Sequence, residues 1–146
     1  MKNFLIVLCL ISFVGCDSND VDTEEEEASV LNSVFDDFIS EVKTSAGNNS
    51  VECGQVKTSE SDIETNVCVF ESYTNNIPFY AIYQRQGIDS FVAGAISQGE
   101  DGLLFIWSYD SSASGSESNP RTLQVECIEP TLTGTVDNGY LGIFDC

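Results

Sequence analysis

The chain has 146 residues, with 24 Asp and Glu against 5 Lys and Arg, no His, and a formal net charge of −19. A chain this long forms one domain with a real core. Charge this negative argues against nucleic acid and against direct adhesion to anionic lipid, both of which need basic patches. The lack of His removes the commonest general base, the commonest metal ligand and every Ser-His-Asp or Cys-His arrangement.

At the N-terminus, Lys2 supplies a positive charge and Phe4 to Val14 an apolar run. That run suits a signal-peptide h-region and falls short of the roughly 20 residues a spanning helix needs. Gly15 precedes Cys16, and the polar stretch Asp17-Ser18-Asn19-Asp20 follows. The segment Phe13-Val14-Gly15-Cys16 resembles the lipobox of bacterial lipoproteins, with Phe13 where that pattern prefers Leu. The resemblance implies cleavage before Cys16, a diacylglycerol on its sulfur and an acylated amine. A bilayer anchor through Cys16 follows, in a bacterial cell envelope and facing the periplasm or exterior. Each buried CH₂ of an acyl chain contributes about 0.8 kcal/mol, and two or more chains hold stably. The expected organisation is a signal peptide over 1–15, a lipidated Cys with an acidic linker over 16–28, and a single α+β domain over 29–146.

Asp17, Asp20, Asp22 and Glu24 to Glu27 make a self-repelling acidic spacer. Its end can already be helical, because Thr23 and Glu26 have capping-box spacing. Val30, Leu31, Val34, Phe35, Phe38, Ile39 and Val42 then recur at helical spacing, which predicts an amphipathic helix ending near Lys43 with Gly47 beyond it. Residues 47–60 read as a polar loop around Cys53-Gly54. A second helix is expected over Asp62 to Asn75. Ser61 and Glu64 offer a capping box there, Ile63, Val67, Phe70 and Thr74 line one face, and Pro78 lies beyond the stop.

From Phe79 the period changes to two, which predicts strands near 79–86, 90–98, 103–110, 121–128, 131–136 and 139–145. Residues 111–120 read as a Ser/Gly-rich loop, and Asp137-Asn138-Gly139 is a hairpin signal. Short connections imply an antiparallel meander. The expected fold is therefore α+β: two N-terminal helices packed on an antiparallel meander sheet of about four to six strands, with two disulfides. Alternation groups Phe79, Ala81 and Tyr83 with Phe91, Ala93 and Ala95, then Phe105, Trp107 and Tyr109, then Leu123, Val125 and Cys127, on the face expected to meet the helices. Ala93 and Ala95 either make room for packed helices or floor an aromatic shelf. On the second reading Trp107 and Tyr109, with Tyr80 and Tyr83, are candidate partner-binding residues, since Trp and Tyr are enriched at hot spots.

Of six Cys, Cys9 leaves with the leader and Cys16 is lipidated, so Cys53, Cys68, Cys127 and Cys146 remain. An even number in an exported domain reads as a disulfide framework with three connectivities. Chain order favours Cys53–Cys68 and Cys127–Cys146, each closing a loop that stabilises by roughly 3 kcal/mol. No C-x-x-C pair, P-loop, G-x-S-x-G, HExxH, dinucleotide or EF-hand pattern is present. No catalytic residue, metal or cofactor is therefore assigned. The functional expectation is a membrane-anchored, non-enzymatic binding domain. One version is an inhibitor of, or immunity protein against, a basic secreted enzyme. The alternatives are an accessory subunit of an envelope assembly and a carboxylate-based hydrolase.

Overall fold

The computed structural model describes residues 22–112, 120–132 and 144–146, with side chains in the first helix described from Asn32 onward. The leader, Cys16, the 113–119 part of the Ser/Gly-rich loop and the Asp137-Asn138-Gly139 signal lie outside the described residues. The fold is α+β, in the order α1 (Asp22–Ala46), β1 (Val51–Val56), α2 (Ile63–Thr74), β2 (Phe79–Gln86), β3 (Phe91–Gln98), β4 (Leu104–Asp110), β5 (Arg121–Glu126), β6 (Thr131–Leu132) and β7 (Phe144–Asp145). The first five strands form one sheet in the order β1-β2-β3-β4-β5, and β6 pairs with β7.

Helix α1 starts at Asp22, so the helix reaches back into the acidic segment. It turns Phe38, Val42 and Ala46 inward and leaves Asp36, Asp37, Glu41 and Lys43 exposed, the 3.6-residue pattern of its sequence. Gly47, at φ +91°, ends the helix: its N–H reaches the Lys43 and Thr44 carbonyls, both at 3.2 Å. That left-handed conformation is the usual glycine stop.

The 47–60 segment is not simply a loop, for it contains β1. This strand runs parallel to β2, so β1, α2 and β2 form a parallel crossover unit rather than part of a meander, and the sheet is mixed. An apolar alternation was absent because β1 is an edge strand in which Val56 alone is fully buried. A register shift between Glu52 and Gly54 further breaks its period, and Gly54 takes φ +135°. The Cys53–Cys68 disulfide ties β1 to α2, and Cys127–Cys146 ties the end of β5 to the chain terminus.

The two helices sit on opposite faces. Phe38, Val42 and Ala46 of α1 pack with Tyr80, Ile82, Ala93, Ala95, Trp107 and Tyr109. Val69 of α2 packs with Val56, Phe79, Ala81, Tyr83, Ile96, Leu104, Cys127 and Phe144 on the other face. The expected face sets hold for β3 and β4 but not for β2 and β5. Odd-numbered β2 residues lie opposite even-numbered β3 residues (Tyr83 to Gly94), and Leu123 lies opposite Ser108. A one-residue change of register moves every side chain to the other face. β2 offers no alternation to prevent the mistake, because Phe79 through Tyr83 are all buried. A strand covered on both sides reads as a continuous apolar run.

Helix α2 also differs from expectation. Asp62 is its N-cap and makes no side-chain capping bond, so Ser61 and Glu64 form no capping box. Its buried face is Thr65, Asn66, Val69 and Ser72, whereas Ile63 and Val67 are exposed. Asn66 is fully buried, and its Oδ1 accepts a 2.8 Å bond from the Tyr83 hydroxyl, which removes the cost of burying the amide oxygen without a partner.

Candidate functional site

The four aromatic residues expected at a binding surface are all in the interior: Tyr83 is 0 % exposed, Tyr109 2 %, Tyr80 4 % and Trp107 5 %. Ala93 and Ala95 make the trough into which α1 settles, so the sheet's aromatic face is core. Phe35 meets Phe91 edge-on at 4.9 Å and Tyr109 at 5.3 Å, and Phe38 meets Tyr109 at 5.4 Å. Trp107 spends its N–H inside the fold: Nε1 donates to Ser97 Oγ at 2.8 Å. Ser97 and Ser45 hydroxyls are 2.6 Å apart, and Ser45 Oγ donates to the Val42 carbonyl at 2.9 Å. Since the Ser45 hydrogen is used on Val42, Ser97 donates to Ser45, and the chain of bonds runs from β4 through β3 into α1.

Two of these tyrosines have perturbed hydroxyls. Burial, a hydrogen bond with Glu52 and the charge of Glu52 push Tyr80 up to about 12. Burial, then the nearby Asp110 carboxylate, raises Tyr109 above its ordinary range. Both shifts favour the neutral phenol and make neither group a base at neutral pH.

A shallow pocket of about 670 Å³ on the α1 side touches Trp107 among Ser40, Glu41, Thr44 and Gln124, and another concave surface lies on the α2 side of the sheet. Among the described residues helix α2 packs mainly over β1 and β2, and none of its residues lines the part of the β3–β5 surface around Gly94, Ser108 and Leu123. A pocket of about 430 Å³ there is lined by Arg85, Val92, Gly94, Ser108, Asp110, Arg121 and Leu123, among others. The pairing registers place Arg85, Val92, Asp110 and Arg121 in one row across β2 to β5, with Tyr83, Gly94, Ser108 and Leu123 in the next. Gly94 and Ser108 have little side chain, so they form the floor. Leu123 and Val92 supply apolar wall, and Arg85 and Arg121 stand at opposite sides. Arg85 approaches Asp62 at 3.7 Å, while Arg121 sits across from Asp110 without a salt bridge among the described residues.

A second feature is the outer face of α2. Ile63 and Val67, spaced i, i+4, are 47 % and 37 % exposed, Phe70 continues the stripe half-buried, and Ile77 just past the helix is 42 % exposed. Exposed Glu60, Glu64 and Glu71 flank them, and α2 itself carries no basic residue.

The sequence places Ile63, Val67 and Phe70 on one face of α2 but does not show that this face is turned outward, and it does not bring the two arginines together. Arg85 and Arg121 are the only arginines in a chain with five basic residues, and that scarcity is the one mark they carry in the sequence. Among the described residues no group of His, Cys, Asp and Glu could hold a metal ion, and no helix is long and apolar enough to cross a membrane. No family model, curated protein or solved structure matches the chain, so its function has to be read from this geometry.

Proposed function

We propose that this chain is a lipid-anchored, non-enzymatic envelope protein whose domain binds a basic protein partner, as an inhibitor or immunity protein would. The observation that carries this reading is the α2 stripe: Ile63, Val67 and Ile77 stand exposed, flanked by the exposed carboxylates of Glu60, Glu64 and Glu71. An apolar centre with a charged rim is the anatomy of a protein-binding surface. The rim is acidic and the whole chain is strongly so, which steers a basic partner toward it and rejects acidic ones. Tethering comes from the lipobox-like Phe13-Val14-Gly15-Cys16, and acyl chains on Cys16 would confine encounter to the membrane surface.

Two measurements test it. Cys16→Ser should move the protein from the membrane to the soluble fraction; continued fractionation with lipid removes the anchor. For the partner, the immobilised chain should retain basic muramidases or a basic component of an envelope extract at low salt, and release them as salt rises. Val67→Asp should reduce that retention at least tenfold, because it puts a charge in the apolar centre. Retention of nothing, or retention indifferent to Val67→Asp, defeats the binding reading.

A further inference from the structure

We infer that the pocket on the open half of the sheet is a second binding site, for a small organic monocarboxylate with an apolar body. The inference stands apart from the α2 surface and from the anchor. The first reason is the distribution of cations. The described residues contain four Lys and Arg, and three of them, Lys57, Arg85 and Arg121, lie at the same end of the sheet. Arg85 and Arg121 line the 430 Å³ pocket, and Arg85 with Lys57 lines the adjoining one. In a chain of net charge −19 solubility needs no such cluster, and a guanidinium's planar fork matches a carboxylate in two parallel bonds.

The second reason is shape. The row Arg85-Val92-Asp110-Arg121 spans four neighbouring strands, about 14 Å at the usual strand spacing. Between its two ends, the floor of Gly94 and Ser108 leaves a depression of the size small-molecule sites have. Leu123 is 45 % exposed at its edge with nothing described over it, a wall for an apolar body. The third reason is charge balance: Asp110 lies beside Arg121 and Asp62 is 3.7 Å from Arg85, so the carboxylates offset much of the positive charge and repel a dianion such as phosphate more than a monoanion.

The test uses the full chain in a neutral detergent micelle, titrated with butanoate, n-butanol and inorganic phosphate at equal ionic strength. Amide NMR shifts of Gly94, Ser108 and Leu123 report occupancy. Butanoate should move them saturably, and butanol and phosphate should not. Arg121→Gln and Arg85→Gln should each weaken butanoate at least tenfold. Arg121→Lys, which keeps the charge but loses the fork, should weaken it measurably. Ser108→Phe should fill the depression and abolish binding with both arginines intact. Equal shifts with butanol or phosphate, binding unaffected by Arg121→Gln, or no saturable shift with butanoate would each overturn the assignment. A dispersed amide spectrum in every variant separates loss of the site from loss of the fold. Because retention of basic proteins uses the α2 face, failure here leaves that reading standing, and the reverse also holds.

Discussion

Replacing Ser97 by Ala tests the polar chain that locks α1 to the sheet. Ser97 is 0 % exposed; its hydroxyl accepts from Trp107 Nε1 and donates to Ser45. The substitution deletes a single oxygen, so packing loss is small. What it leaves is an indole N–H, on a residue 5 % exposed, with no acceptor. An orphaned buried donor costs about 1–3 kcal/mol, and the lost Ser45 bond adds about 1 kcal/mol at most, since Ser45 is half-buried and keeps its bond to Val42. The expected destabilisation is therefore about 2–3 kcal/mol. Urea unfolding followed by circular dichroism and by the fluorescence of the one Trp measures it. The double variant Ser97→Ala, Trp107→Phe then removes the orphan donor. It should be less destabilised than the sum of the single variants by at least 1 kcal/mol. A loss below about 0.5 kcal/mol for Ser97→Ala, or strict additivity in the cycle, would refute the role given to this chain of bonds.

The hydroxyl of Tyr80 gives a pH dependence. Its folded pKa, about 12, is above the ordinary value of 10. The stabilisation from keeping the phenol neutral is therefore full below pH 10 and lost as pH rises from 10 through 12, at about 1.4 kcal/mol per unit. Stability should fall across that window by about 2–3 kcal/mol from this group, and Glu52→Gln should bring the tyrosinate absorbance transition down in pH; a transition unmoved by Glu52→Gln would show that Glu52 plays no part. At Gly54 a Cβ would lie 2.9 Å from Thr65 Oγ1 and φ is +135°. Gly54→Ala should cost about 1–3 kcal/mol or more from backbone strain alone. Adding Thr65→Ala should restore only the contact part in thermal unfolding, and complete recovery would show that the backbone is not strained.

The sequence alone determined what depends on neighbours along the chain. The α1 period, its glycine stop, the bounds of β2, β3 and β4 and the disulfide pairing of cysteines close in sequence all rest on local spacing, and the structure agrees with them. The lipobox-like leader is equally local, and it carries the anchor proposal unaided. Tertiary structure decided what depends on register and on cover. β1 shows no pattern because an edge strand beside a staple buries little, and β2 does not show which of its faces meets which helix because it is buried on both sides. Which face Trp107 and Tyr109 occupy follows from the pairing of Ala95 with Trp107 and the placement of α1 over them. Alternation alone allows those aromatics to be a binding shelf; the placement of the two helices on opposite faces makes them core. The exposed stripe of α2 and the meeting of Arg85 with Arg121 across four strands join residues 36 positions apart or turn an apolar face outward. The local period groups Ile63, Val67 and Phe70 but does not turn them outward, and no such period joins the two arginines, because both outcomes follow from where the remaining elements leave the helix and the sheet uncovered.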